Sequence, residues 1–114
     1  MKVELLYFDG CPGYQRFLPR LSELVHDAGI ADDVQLRRIE SPEAAAAERF
    51  LGSPTVRIDG VDVEPDADRR VDFGLKCRLY STPDGLQATP RSEWVVDALR
   101  ARKEQGDEDR RNAR

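Results

Sequence analysis

The sequence predicts a single-domain α/β protein, a sandwich with a central mixed sheet and helices on both faces, in the order β-α-β-α-β-β-α. Three observations predict it. Short runs of aliphatic, β-branched and aromatic residues alternate with longer stretches whose apolar positions recur at helical spacing, the pattern of a layered α/β chain. Asp59-Gly60 stands between two apolar runs and is a strong short hairpin signal. With 114 residues, the chain is long enough to enclose one core without staples.

Residues 3–8 (Val-Glu-Leu-Leu-Tyr-Phe) form the first strand, by their aliphatic and aromatic content. Asp9-Gly10 turns the chain, and Pro12 pre-sets the first helical dihedral, so Cys11 is expected at the N-cap of a helix. From Pro12 to Ala28 the stripe Tyr14, Phe17, Leu18, Leu21, Leu24, Val25 and Ala28 is helical, with Gly29 as its stop and Pro19 as an internal kink. Val34, Leu36 and Ile39 mark a second strand over 33–39. Ser41-Pro42-Glu43 then caps and opens a helix over 42–51, whose Phe50 and Leu51 anchor it on the sheet.

A third strand begins at Ser53-Pro54, where proline is tolerated at the first position, and passes through Asp59-Gly60 into residues 61–63. Residues 64–74 read as a charged loop with one helical turn. Leu75, Cys77 and Leu79 alternate with Lys76, Arg78 and Tyr80, which predicts a strand with the cysteine on its apolar face. Residues 82–85 (Thr-Pro-Asp-Gly) form a turn. Thr89-Pro90 caps a last helix that buries Trp94, Val95, Ala98 and Leu99. The domain is expected over 1–103, with 104–114 a disordered charged tail. The first two connections are expected to be right-handed crossovers.

Composition excludes several classes. A formal charge of −4 argues against nucleic acid as a partner. No stretch approaches a membrane span, and the N-terminal residues lack an apolar leader core, so the expectation is a cytoplasmic protein without a membrane partner. Two cysteines and one histidine supply neither a disulfide framework nor a closed four-ligand zinc site, so no metal and no cofactor is expected. His26 stands at the end of a helix, where its charge suits the dipole, and reads as a surface residue. Composition leaves the oligomeric state open.

Chemistry centres on Cys11. Unpaired N–H groups and the dipole at a helix start favour a thiolate, which makes this cysteine the expected nucleophile. Asp9 is either a proton acceptor beside it or a turn residue. Tyr14 either directs its hydroxyl toward the sulfur or packs as the first residue of the stripe. Cys77 is either a core residue or the resolving partner of Cys11, which requires Cα atoms within about 7 Å. Without Cys77, a small thiol resolves the intermediate. Two thiolates with Asp9 nearby would also suit a soft metal ion or an organomercurial. A redox-silent binding module is the remaining alternative.

The element order, a cysteine at the first strand-to-helix turn and Ser-Pro-Thr opening the third strand together resemble the thioredoxin fold. Cys11-Pro12-Gly13-Tyr14 occupies the position of its Cys-x-x-Cys motif, with Tyr14 in place of the second cysteine. Pro54 matches the cis-proline position, and Pro19 matches the helix-kinking proline. Tyr7-Phe8-Asp9-Gly10-Cys11-Pro12, Gly52-Ser53-Pro54-Thr55, residues 73–80 and 82–85 are similar to a group of small thioredoxin-like proteins. That group is labelled thioredoxin family, DF-family (seleno)protein or sometimes alkylmercury lyase. The resemblance implies thiol–disulfide exchange with a protein or small-molecule thiol or disulfide. Ser53 and Pro54 would present backbone for strand-like docking beside Cys11, and Pro12 and Tyr14 would line the substrate site.

Overall fold

The computed structural model describes the backbone of residues 1–112 and the side chains of residues 1–105. The chain forms β1 (Val3–Tyr7), α1 (Gly13–Asp27), β2 (Val34–Arg38), α2 (Pro42–Ala47), β3 (Thr55–Ile58) and β4 (Val61–Asp62). A single 3-10 turn at Ala67–Arg69 follows, then a small hairpin of β5 (Tyr80–Thr82) and β6 (Gly85–Gln87), then α3 (Ser92–Asn112). A mixed four-stranded sheet runs in the order β2-β1-β3-β4. β1 pairs parallel with β2, Val3 opposite Val34, and antiparallel with β3, Leu6 opposite Thr55.

Successive side chains of a strand face opposite ways, so β1 serves two cores. Val3 and Leu5, with Val56 and Ile58 of β3, meet Phe17, Leu21, Leu24 and Val25 of α1 and Val95 and Leu99 of α3. Leu6 points to the other side and packs with Ile39, Ala45 and Phe50. Burying each of these large side chains contributes roughly 1.5–3 kcal/mol. The expected small α/β protein with a mixed sheet and three helices is what forms.

The second connection departs from expectation. β3 runs antiparallel to β1, so only β1-α1-β2 is a parallel crossover. α2 has 6 residues, spanning about 9 Å at the helical rise, against roughly 17 Å for a five-residue strand. It cannot carry the chain to the far end of the sheet. The chain leaves the helix through Arg49, at φ 54, and re-enters the sheet from the same end that it left. Phe50 and Leu51 lie beyond the helix rather than in it, yet both are buried. This reversal places the start of β3 beside the end of β1.

The strand expected at 75–80 does not form. Only Ser53 and Cys77 make an isolated bridge there, and β5 begins at Tyr80. The facing is also inverted: Arg78 and Tyr80 are buried, while Cys77 and Leu79 are exposed. The physical reason is that Arg78 finds two carboxylates inside. The turn at residues 82–85 is found as expected, joining β5 to β6. α3 runs past residue 103, the expected end of the domain, to Asn112. Its Lys, Glu, Gln and Arg are good helix formers. Disorder expected for residues 113–114 falls outside the described residues. Among the described residues, no helix is long and apolar enough to cross a membrane.

Candidate active site

Both ends of the site are built at the junction of β1 and β3. After β1 the Cys11 N–H donates to the Phe8 carbonyl at 3.3 Å, closing a tight turn. Gly10 lets the Phe8 ring lie close, because a Cβ there would come 2.5 Å from it and the ring would have to move. Pro12, not Cys11, is the N-cap of α1; its carbonyl accepts from Gln15 N at 3.1 Å, so the helix starts one residue later than expected. Cys11 precedes the cap and is buried, at 4% exposure. Its Sγ donates to the Ser53 carbonyl at 3.6 Å. The Ser53–Pro54 peptide is cis.

Cys77 reaches the same spot from far along the chain. Ser53 N donates to Lys76 O at 2.8 Å, and Arg78 N donates to Ser53 O at 2.9 Å. The residue between them, Cys77, therefore lies directly over Cys11. Its Sγ donates to Cys11 Sγ at 3.0 Å, across a sequence separation of 66. Gly52, at φ +127, permits this approach, since a Cβ would meet Lys76 O and the Arg78 Cβ at 2.9 Å. The hydrogen bond to Cys11 raises the Cys77 thiol above its ordinary pKa, with burial and the nearby Cys11 sulfur acting in the same direction.

Beneath this segment lies a polar network absent from the sequence reading. The Arg78 guanidinium, 0% exposed, pairs with Asp62 through two bonds of 2.7 and 3.1 Å and with Glu64 at 3.2 Å. It also donates to Thr55 Oγ1 at 2.9 Å and lies 4.4 Å over the Tyr80 ring. Burial opposes the Arg78 charge, but Tyr80, Asp62 and Glu64 outweigh it and raise its pKa. Burial likewise raises the Tyr80 phenol, which stays a donor and bonds the Pro54 carbonyl. Outside, Arg70 joins Glu64 to Asp72, and Lys76 joins Asp72 at 2.9 Å. Arg78 Nε and Ser53 Oγ are buried without a partner among the described residues. The signal for this network was the pair Asp62 and Glu64, two acids with one residue between them where β4 ends.

Other expected site residues divide. Pro54 and Ser53 are buried next to the sulfurs, and Pro12 is exposed at the head of α1. Tyr14 packs rather than reaching for Cys11: its ring stacks on Tyr7 at 4.0 Å, and its hydroxyl accepts from Gln15. Asp9 is exposed, and its carboxylate pairs with Arg38 at 3.1 Å. His26 is exposed near the end of α1. Among the described residues, no group of three or more His, Cys, Asp or Glu side chains converges as a metal site. Comparison of the chain with protein-family models, with curated proteins and with solved structures found no match in any of the three.

Proposed function

We propose that this protein is a thioredoxin-like thiol–disulfide oxidoreductase whose redox centre is the Cys11–Cys77 pair. One observation carries the reading: two free thiols, distant in sequence, whose sulfurs lie 3.0 Å apart. A disulfide is about 2.05 Å long, so closing it requires a shift of about 1 Å. The sheet order, the cysteine after β1 and the cis Ser53–Pro54 bond beside it support the thioredoxin-like assignment. In this reading the second cysteine of the usual local pair is replaced by one delivered from residues 76–78, which removes the need for a small thiol to resolve the intermediate. A reducing compartment, the cytoplasm, fits a pair that must be returned to dithiol.

The test is mild oxidation of the reduced protein followed by mass and peptide analysis. The expected result is loss of two hydrogens and an intramolecular Cys11–Cys77 bond, reversible by dithiothreitol and titrating at one potential in a redox buffer. Oxidation that yields only external adducts or intermolecular dimers overturns it. A soft cation is the second reading that facing sulfurs favour. Asp9 is turned away toward Arg38, which leaves cleavage of an organomercurial, as distinct from binding of a soft cation, without its proton donor. Hg(II) binding of equal stoichiometry and strength in wild type and Cys77→Ser would remove a paired site.

A further inference from the structure

We infer that the partner exchanged at this centre is a small disulfide, and that it forms its mixed disulfide on Cys77 rather than on Cys11. The inference rests on the redox reading above and assigns its substrate class and the order of attack. Two independent observations carry it.

The first is access. Cys11 is 4% exposed and has Cys77 Sγ against its own sulfur. Cys77 is exposed. Sulfur–sulfur exchange requires the attacking atom to reach the disulfide directly, so the outer sulfur meets the partner. The second is that the docking position beside Cys11 is already filled. An extended polypeptide would pair with the N–H and carbonyl of Ser53. Both groups are taken, by Lys76 O at 2.8 Å and Arg78 N at 2.9 Å. Arg78 is anchored beneath by Asp62, Glu64 and Thr55, so this segment is not a loose flap. The chain has placed its own residues where an outside strand would lie, with the exposed Cys77 rather than the buried Cys11 presented outward.

The exchange then balances as follows. Cys77 Sγ attacks one sulfur of R–S–S–R; the R–S–S–R bond breaks, a Cys77–S–S–R bond forms, and the departing thiolate leaves as R–SH with the Cys77 proton. Cys11 Sγ next attacks Cys77 Sγ; the S–S bond between Cys77 Sγ and the R–S sulfur breaks, the Cys11–Cys77 bond forms, and the second R–SH leaves with the Cys11 proton. Two electrons and two protons pass from the protein dithiol to the small disulfide, and the reverse sequence reduces the protein.

The experiment uses glutathione disulfide on reduced wild type, Cys11→Ser and Cys77→Ser, with adducts mapped by mass and the fold checked by circular dichroism. In Cys11→Ser the adduct is expected to accumulate on Cys77. In Cys77→Ser, where the serine keeps a hydrogen-bond donor over Cys11, modification of Cys11 is expected about tenfold slower or more, as for a buried thiol. Limiting iodoacetamide on the wild type is expected to label Cys77 first. Comparable or faster modification of Cys11 overturns the assignment, while an internal bond that still forms in the wild type leaves the redox reading standing. A second arm compares glutathione disulfide with a disulfide of glutathione and an extended cysteine peptide. Similar rates for both are expected. A peptide advantage of about tenfold or more would show backbone docking and overturn the small-substrate assignment.

Discussion

Cys11 and Cys77 are held by opposite kinds of structure. Cys11 sits in a turn between β1 and α1, where Phe8, Gly10 and Pro12, its neighbours in sequence, fix the backbone. Cys77 sits in a stretch with no regular secondary structure, tied to Ser53 through its two flanking residues and anchored by the buried Arg78. The first sulfur is positioned by local chain chemistry and apolar packing. The second is positioned by long-range backbone pairing and charge. The proposed redox centre would join the half held by local packing to the half held by ion pairs, so the distance between the two sulfurs reports on how well the halves stay docked.

The largest expected effect comes from joining the halves covalently. A bond across a separation of 66 residues removes loop entropy from the unfolded chain worth about 4 kcal/mol in the chain-entropy account. Urea denaturation of oxidised and reduced protein should differ by roughly that amount, and equal midpoints would show that the segment is already ordered when unfolded.

Next come two substitutions that separate the halves. Arg78→Met strips the counter-charge from Asp62 and Glu64 and should cost about 3 kcal/mol, with a weaker internal disulfide. Leu21→Ala, at a side chain 0% exposed under β1, should cost about 3 kcal/mol by cavity formation while leaving the equilibrium between dithiol and disulfide unchanged. Redox-buffer titration of both variants checks the contrast.

A smaller effect concerns protonation. Cys77 is raised chiefly by its bond to Cys11, so Cys11→Ala should move the pH midpoint of Cys77 alkylation downward, toward the ordinary value of about 8.5. An unchanged midpoint would break the link between the two sulfurs.

The smallest belongs to the outer ion pairs. Asp72, 49% exposed, is lowered chiefly by its bond to Arg70 and then by Lys76. A lowered carboxyl contributes stability above its unfolded pKa of about 3.9 and loses it as pH falls through the folded value. Asp72→Asn should therefore cost under about 1 kcal/mol at neutral pH, less in high salt, and its difference from wild type should shrink below about pH 4. Denaturation at several pH values measures it.

How far the sequence could be read follows the same division. The elements around Cys11 were legible because their signals are local: the apolar run of β1, the Phe17–Leu21–Leu24 stripe of α1, the Ser41-Pro42 cap and the Asp59-Gly60 hairpin. The error of one residue at the α1 cap is of the usual size for helix ends. Around Cys77 the local pattern misled. Leu75, Cys77 and Leu79 alternate like an apolar face, but Arg78 enters the interior because Asp62 and Glu64 wait there, which turns Cys77 outward. Such a choice depends on residues that only the folded chain brings together. The antiparallel entry of β3 was hidden for a related reason, since the brevity of α2 was masked by Phe50 and Leu51 continuing its apolar pattern.

That brevity also divides the molecule into two poles. With the end of β1 and the beginning of β3 at one rim, the bend at Asp59-Gly60 falls at the other, where Asp59 N meets the Lys2 carbonyl. Val61, next to that bend, is 62% exposed. A fluorophore or surface tether attached there sits a full strand length, roughly 17 Å, from both thiols. The molecule can be immobilised at that tip with its sulfur chemistry pointing away from the support.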